Sequence, residues 1–170
     1  MHVFVNHWPS RSGGEAKSSP LREMAALVAK KKIDEILKSN PDAKIILMGD
    51  LNDDPVNKSV RKVIGAFGSK ENVSKFEFFN PWMTMYKNGI GTLAYNDSWN
   101  LFDQIIVSKA LVDNEDNGFQ FYKAKIFKRS YMMSQEGRFK GYPKRTYSYG
   151  KYIGGYSDHL PTYILLVREK

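Results

Sequence analysis

The chain has 170 residues, of which 42% are hydrophobic and 26% are charged, the balance of an ordinary globular domain. Lys and Arg number 26 against 18 Asp and Glu, and this net charge of +8 favours polyanionic partners such as nucleic acid or anionic lipid. Cysteine is absent, which excludes disulfides and thiolate metal sites and favours Mg²⁺, Mn²⁺ or Ca²⁺ over Zn²⁺ as a bound ion.

The first third of the chain predicts a strand–helix–strand unit. Residues 2–6 alternate as a strand does, and residues 44–48 form a short apolar run typical of a strand buried on both faces. Between them, Ser19-Pro20 predicts the start of a helix and Asn40-Pro41 predicts its end. We expect the two strands to be parallel, with the helix crossing over between them. The predicted apolar face of this helix comprises Leu21, Met24, Ala25, Val28, Ala29, Ile33, Ile36 and Leu37.

The remainder of the chain predicts further strands with irregular connections. A shorter helix is expected over residues 55–67, ending at Gly68, and a long loop over residues 131–152. With no repeat and no linker, the chain predicts one domain over residues 1–170 of the α/β class, a β-sheet with packed helices. No apolar run is long enough to cross a bilayer and none resembles a signal peptide, which leaves the compartment open. Strands are expected over residues 92–95, 99–108, 119–128 and 160–167.

Polar side chains collect at or within the predicted strands. They are His7, after the first strand; Asp50 and Asn52, after the second; Asp103, within a later one; and Asp158 and His159, before the last. Sites in open α/β sheets form outside the carboxyl ends of strands, and a carboxylate inside an apolar strand needs a partner. Taken singly, these residues also fit surface positions or an Asx-rich turn. Together, two imidazoles, three carboxylates and an amide predict a site at one edge of the sheet.

Other sites that use the same residue types do not fit the chain. Residues 50–54 resemble the start of an EF-hand loop, but Pro55 replaces the Gly required at its sixth position and Arg61 replaces the Glu at its twelfth. The chain also lacks the Walker phosphate loop, the Gly-x-Ser-x-Gly nucleophile elbow and the His-Glu-x-x-His zinc motif. These patterns therefore do not explain the polar cluster.

Four short stretches, which together span almost the whole chain, contain these polar residues. They are VNHWPSR at residues 5–11, MGDLN at 48–52, WNLFDQIIVS at 99–108 and YSDHLP at 156–161. In this order they resemble the endonuclease/exonuclease/phosphatase superfamily, which includes the deoxyribonuclease I-like nucleases. That family's fold is a four-layer α/β sandwich of two similar halves, and the four stretches match its C-terminal half. The resemblance implies that the chain forms one half of the sandwich and is N-terminally truncated.

The same resemblance implies a catalytic role for five residues. Asp50 would orient or deprotonate the attacking water, and Asn52 would hydrogen-bond the phosphate beside it. His159 would contact the scissile phosphate, with Asp103 holding its imidazole through a direct hydrogen bond. His7 would lie on the leaving-group side. In-line hydrolysis of a phosphate ester requires a positioned water, neutralised phosphate oxygens and help for the leaving oxygen, and these side chains can supply such functions.

The resemblance also implies a metal and further partners. Arg11 would add a phosphate contact, and Asp158 would face the metal, for which Mg²⁺ is expected with Mn²⁺ or Ca²⁺ as alternatives. The family's principal metal-binding Glu belongs to the first half and has no counterpart in this chain. A single half would expose the face on which the other half packs, so the missing N-terminal half or self-association is expected to cover it.

Three functions remain to be distinguished. The first is a metal-dependent phosphoesterase, nuclease-like or phosphatase-like, which hydrolyses a phosphodiester or a phosphomonoester. The second is a non-catalytic fragment or binding module that retains the site residues. The third, a basic nucleic-acid-binding domain without hydrolase ancestry, is disfavoured by the four ordered stretches. The substrate stays open between nucleic acid, sugar phosphate and phospholipid. The Tyr- and Lys-rich loop around residues 144–147 fits a nucleic-acid contact and a solvated surface equally well.

Overall fold

A mixed β-sheet, covered by a helix on one face and by a pair of strands on the other, forms the centre of the molecule. The computed structural model describes residues 1–113 and 118–168. In chain order, the elements are β1 (His2–His7), α1 (Glu15–Ser39), β2 (Ile45–Asp50), a π-helical segment (Ser59–Ile64), β3 (Ala66–Phe67), β4 (Phe78–Phe79), α2 (Trp82–Lys87), β5 (Leu93–Tyr95), β6 (Ser98–Asn100), β7 (Asp103–Ser108), β8 (Gln120–Ile126), β9 (Tyr147–Ser148), β10 (Lys151–Tyr152) and β11 (Thr162–Val167). Short 3₁₀ turns occur at Lys70–Asn72, Lys109–Leu111 and Ser130–Met132.

The central sheet has five strands in the order β1-β2-β7-β4-β3 within the described residues. β1 and β2 are parallel and are joined by α1, which confirms the predicted strand–helix–strand unit. β7 then pairs antiparallel with β2, and β4 pairs antiparallel with β7. The sheet is therefore mixed. No helix in residues 1–113 and 118–168 is long and apolar enough to span a membrane.

Both faces of the sheet carry an apolar core. On one face, α1 packs on the sheet through a cluster that includes Ala26, Ala29, Ile33, Leu37, Ile45, Leu47 and Ile106. On the other face, the antiparallel pair of β8 and β11 packs through a cluster that includes Ile46, Phe79, Ile105, Val107, Phe121, Ala124, Ile164 and Leu166. Residues of β2 contribute alternately to the two clusters, because successive side chains of a strand point to opposite faces. The predicted α/β class is confirmed, with the layers arranged as helix, sheet and strand pair.

Helix α1 differs from its prediction in its start and in its buried face. It begins at Glu15, so Pro20 lies inside the helix, where its missing N–H cannot donate to the carbonyl four residues earlier. The side chain of Ser18 reinforces this first part by donating to the carbonyl of Gly14 at 2.8 Å. The buried positions are Ser18, Arg22, Ala26, Ala29, Ile33 and Leu37, whereas the predicted Leu21, Met24 and Val28 are 53%, 65% and 75% exposed.

Three other predicted segments differ from the structure. The helix predicted over residues 55–67 is the π-helical segment Ser59–Ile64, and it ends at Gly65 in the left-handed conformation rather than at Gly68. The strand predicted over residues 99–108 divides into β6 and β7 at Leu101-Phe102. β6 pairs with β5 around Asn96-Asp97, and β7 enters the central sheet. The loop predicted over residues 131–152 contains the short hairpin of β9 and β10.

Candidate active site

The ends of three neighbouring strands form a row of polar side chains. His7 of β1 lies opposite Asp50 of β2, and Asp50 lies opposite Asp103 of β7. Residues opposite one another in a sheet face the same side, and Met48, two residues before Asp50, packs in the cluster between the sheet and the β8–β11 pair. Nε2 of His7 is 3.7 Å from Oδ2 of Asp50. The structure thus brings together three of the predicted residues at one sheet edge.

Gly49 permits the close approach of the two strands at this edge. Its φ of 139° is one that side chains rarely adopt, and a Cβ at this position would lie 1.8 Å from the carbonyl oxygen of Asn6 in β1. Only glycine avoids this clash, which explains physically why it precedes Asp50. The backbone N–H of Trp8 donates to the carbonyl of Asp50 at 3.0 Å and continues the pairing beyond the strand ends.

His159 reaches the row from the loop that leads into β11. Its Nδ1 is 2.8 Å from Oδ2 of Asp103, which confirms the predicted hydrogen bond. Because a carboxylate only accepts, Nδ1 carries the proton in this pair, and Nε2 is left for another partner. Burial by itself would lower the pKa of His159, but the hydrogen bond and the negative charge of Asp103 outweigh it and raise that pKa above its ordinary value.

Asp50 is held at the start of a tight turn. Its Oδ1 accepts the backbone N–H of Asn52 at 2.9 Å, and Asn52 has a left-handed φ of 49°. These residues therefore form an Asx turn, which their residue types also fit when taken singly. The turn fixes the position of the Asp50 carboxylate. Burial raises the pKa of Asp50 against the lowering effect of the Asn52 N–H, and the nearby charge of Asp103 raises it further. The side-chain nitrogen of Asn52 donates to the carbonyl of Trp8 at 2.9 Å.

Arg11 ties the loop after β1 to the loop after β2. Its guanidinium donates to the carbonyl of Asn52 at 2.9 Å and to carboxylate oxygens of Glu15 and Asp54 at 3.1 Å each. Its Cζ also lies 4.4 Å from the ring centre of Phe102. These contacts support a positioning role for Arg11, and its predicted phosphate contact stays a prediction.

A buried ion pair lies beneath these two loops and was not predicted from the sequence. Nε of Arg22 is 2.7 Å from Oδ1 of Asp53, and both side chains are almost fully buried. Arg22 also donates to the carbonyl of Pro9 at 3.3 Å, and Ser59 donates to the second carboxylate oxygen of Asp53 at 2.6 Å. The pair links α1 to both loops of the site. One sequence signal could have revealed the buried arginine. Arg22 lies four residues before Ala26, and this helical spacing places both residues on the buried face of α1.

Among the described residues, Asp50, Asp103 and His159 form a group that could hold a metal ion. One ligand atom of each lies within 4.8 Å of the others. Two carboxylates with a partly exposed imidazole suit a divalent cation that prefers oxygen ligands, so the residues present fit such an ion. Asp158, the predicted metal ligand, lies outside this group. Its side chain is half exposed and pairs with Arg145 at 3.4 Å.

Comparison with known proteins identifies the family. The model of the endonuclease/exonuclease/phosphatase family matches residues 1–168. Comparison with curated protein sequences finds no match. Several solved structures also match the chain. A mannosyl-6-phosphatase from Bacteroides thetaiotaomicron has 16% identity and a TM-score of 0.51, and the alignment covers 97% of this chain and 50% of that one.

Two other structures align at lower TM-scores. An endonuclease/exonuclease/phosphatase family protein from Bacteroides thetaiotaomicron has 16% identity and a TM-score of 0.49, over 89% of this chain and 45% of that one. The catalytic domain of human Nocturnin, with bound sulfate, has 14% identity and a TM-score of 0.43, over 95% and 46%. This chain therefore spans about half the length of these structures. The match over residues 1–168 shows that the chain belongs to the endonuclease/exonuclease/phosphatase family.

Proposed function

We propose that this chain carries the catalytic site of a metal-dependent phosphoesterase, which hydrolyses its substrate by in-line attack of an activated water. Enzymes of the family hydrolyse phosphate esters. The observation that carries the proposal is the hydrogen-bonded pair of His159 and Asp103 beside Asp50, because a carboxylate and an oriented imidazole are the groups that such a reaction needs.

Asp50 is the proposed base. Its turn fixes the carboxylate, and a pKa raised by burial makes it a better proton acceptor than an exposed aspartate. It accepts a proton from the water as the water attacks phosphorus in line with the leaving oxygen. Asn52 is proposed to hydrogen-bond a phosphate oxygen through the part of its amide that Trp8 does not use.

His159 is proposed to stabilise the phosphate. Asp103 orients its ring and favours the protonated form, so Nε2–H donates to a non-bridging oxygen on which negative charge develops. His7, exposed at the β1 end of the row, is proposed to donate a proton to the leaving oxygen, which requires it to leave its present contact with Asp50. Arg11 is proposed to add a phosphate contact only if it releases one of its present carboxylate partners.

The divalent cation of the proposal would be held by carboxylate oxygens of Asp50 and Asp103 and not by His159, because a protonated imidazole has no lone pair to offer an ion. When bound, such an ion supplies charge neutralisation at the phosphate oxygens. Mg²⁺ is proposed first, with Mn²⁺ and Ca²⁺ as alternatives, because the cluster offers oxygen ligands. Asp158 joins this set only if its pairing with Arg145 is broken, so its assignment as a metal ligand stays a prediction.

The apolar side chains of β1 favour a partner that completes the enzyme. Val3 and Val5 are 54% and 75% exposed, and they face the same side as Ile46 and Met48, their neighbours in β2. We infer that a segment equivalent to the other half of the family fold, or a second copy, covers this face. The alternative function follows from the same observation: without that segment the chain is a non-catalytic module that binds phosphate esters.

Hydrolysis of bis(p-nitrophenyl) phosphate and of p-nitrophenyl phosphate tests the proposal, with Mg²⁺ or with EDTA. We expect little turnover from the chain alone, and metal-dependent turnover once a first-half segment of the family is supplied in cis or in trans. Asp50→Asn and His159→Ala should then each lower turnover about 100-fold or more. Asp42→Asn, at an exposed aspartate beyond the opposite end of β2, is the matched control.

The outcomes separate the two functions. Turnover that survives Asp50→Asn, or that ignores EDTA, would contradict the proposed mechanism. Binding of a phosphate ester without turnover, even in the complemented protein, would instead establish the binding module. Turnover by the chain alone that Asp50→Asn removes would support the site and refute the need for the partner segment.

A further inference from the structure

Residues 127–156 form a surface that combines positive charge with exposed aromatic rings, here called the aromatic–basic surface. The segment contains seven Lys or Arg and one Glu, so it contributes +6 to a chain whose net charge is +8. The basic residues are Lys128, Arg129, Arg138, Lys140, Lys144, Arg145 and Lys151. Such a concentration of charge on one segment creates a local field that attracts anions.

All tyrosines of this surface except Tyr142 are exposed. Tyr147 and Tyr152 lie across the β9–β10 hairpin with ring centres 5.6 Å apart, and Tyr131 and Tyr156 form a second pair at the same distance. Each of these rings is more than half exposed. The rings therefore support one another edge to face, and most of each ring remains in contact with solvent.

Tyr149 at the tip of this hairpin is the most unusual of them. It is 92% exposed and has a φ of 49°, in the left-handed region that residues with a Cβ rarely adopt. The two-residue turn Tyr149-Gly150 normally prefers Asn at its first position. An exposed ring gains nothing from packing to offset this conformational cost, so a role in binding is a physical reason for a tyrosine at the tip.

The aromatic–basic surface adjoins the loop that carries His159. A cavity of about 340 Å³ is lined by residues that include Arg138, Phe139, Tyr142, Arg145 and Tyr149. An adjoining cleft of about 710 Å³ extends to Arg11 and Phe102. Both cavities share Tyr95, Arg145 and Asp158, and Asp158 directly precedes His159. Neither cavity is lined by Asp50 or Asp103, so a chain bound on the surface would reach them by way of the loop that carries Asp158 and His159.

We propose that the aromatic–basic surface binds single-stranded nucleic acid and delivers its phosphodiester backbone to the site that contains Asp50 and His159. Aromatic platforms stack on unpaired bases while neighbouring cations neutralise the backbone, and both parts are present here. Duplexes conceal the faces of their bases, so they fit less well. Ile153, at 38%, is the one exposed large aliphatic side chain among residues 127–156, which disfavours insertion into lipid. The catalytic part of this inference rests on the proposed function, whereas the binding part does not.

Fluorescence anisotropy of the whole chain with labelled oligo(dT) and oligo(U) of about 12 nucleotides tests the binding. EDTA is present throughout, so the result does not depend on hydrolysis. Tyr149→Asn removes the ring and supplies the residue that the turn prefers, so it preserves the fold. We expect this change and Tyr152→Ala to weaken binding about fivefold or more each. Tyr122→Ala, at a tyrosine on β8 that is 64% exposed, is the matched control and should change affinity less than twofold.

Salt and charge provide the second readout. Affinity should fall steeply between about 50 mM and about 200 mM salt. Arg138→Ala should lower the slope of log affinity against log salt concentration by about one, the amount expected for one lost phosphate contact. No binding at low salt, or binding that neither tyrosine change weakens, would overturn the inference. Binding to phosphatidylserine-containing vesicles but not to oligonucleotides would overturn it in favour of a lipid surface. Failure of the small-substrate hydrolysis test would refute the proposed function while leaving this binding result intact.

Discussion

Gly49→Ala is the sharpest test of how the site is assembled. The new Cβ would lie 1.8 Å from the carbonyl oxygen of Asn6, whereas real Cβ atoms stay at least 3.0 Å away, so β1 must move by more than 1 Å. That displacement breaks the neighbouring hydrogen bond of Trp8 to Asp50 and leaves buried polar groups unpaired, at about 1–3 kcal/mol for each group. The positive φ of residue 49, which alanine rarely adopts, lowers the free energy of unfolding by about 1–2 kcal/mol more. We expect the free energy of unfolding to fall by roughly 3–8 kcal/mol in total.

Gly89→Ala is the matched control for this experiment. Gly89 has a positive φ of 73°, but a Cβ there would meet nothing within 4 Å. Its substitution should therefore cost only the conformational term of about 1–2 kcal/mol. Urea unfolding followed by circular dichroism measures both values. Equal losses of stability in the two variants would refute the reasoning that the close approach of β1 and β2 requires Gly49.

Three further predictions follow from contacts described above. In metal-free protein, NMR titration should place the pKa of His159 above 6.5, and Asp103→Asn should lower that pKa. Because the pKa is raised in the folded state, the pair stabilises the fold below about pH 6.5, and this contribution to stability is lost as pH rises through the raised pKa. An unchanged pKa in that variant would refute the pairing. Arg22→Met should destabilise the fold by about 3 kcal/mol in urea unfolding, the lower end for a broken buried pair because Arg11 remains 3.4 Å from the stranded carboxylate; a loss under 1 kcal/mol would contradict the predicted cost. The chain alone should self-associate in sedimentation or bind a hydrophobic dye, and Val5→Asp should diminish either property; a stable monomer that binds no dye would argue against the uncovered apolar face.

The strands of the site were predictable because their patterns are local. The apolar run before Gly49 marks a buried strand, and the polar residues that follow mark its end. The position of Asp103 at the first residue of β7 explains why a carboxylate is tolerated beside an apolar stretch: it lies at the sheet edge and has His159 as a partner. Strand ends and polar residues predicted a shared site, whereas the pairing of His159 with Asp103 was predicted from the family resemblance.

Other features depend on tertiary contacts that periodicity does not encode. The prediction assigned Leu21 and Met24 to the buried face of α1. The structure instead buries Arg22, because its guanidinium pairs with the buried carboxylate of Asp53 in the loop after β2. The ion pair of Asp158 with Arg145 likewise joins two loops, and loop conformation follows from packing rather than from a repeating pattern. Propensity cannot identify such partners, because each residue alone also fits an exposed position.

The alignment of three strand ends has a consequence for how the protein acquires its site. The contact between Asn52 and Trp8 joins residues 44 positions apart, and the contact between His159 and Asp103 joins residues 56 apart. Contacts of such high sequence separation form late, because the chain must lose the entropy of closing long loops before they stabilise it. Helix α1, whose hydrogen bonds are local, can form early without any of them. We therefore expect partly folded molecules with native helix content to lack the site, and we expect the His159–Asp103 contact to recover late in refolding.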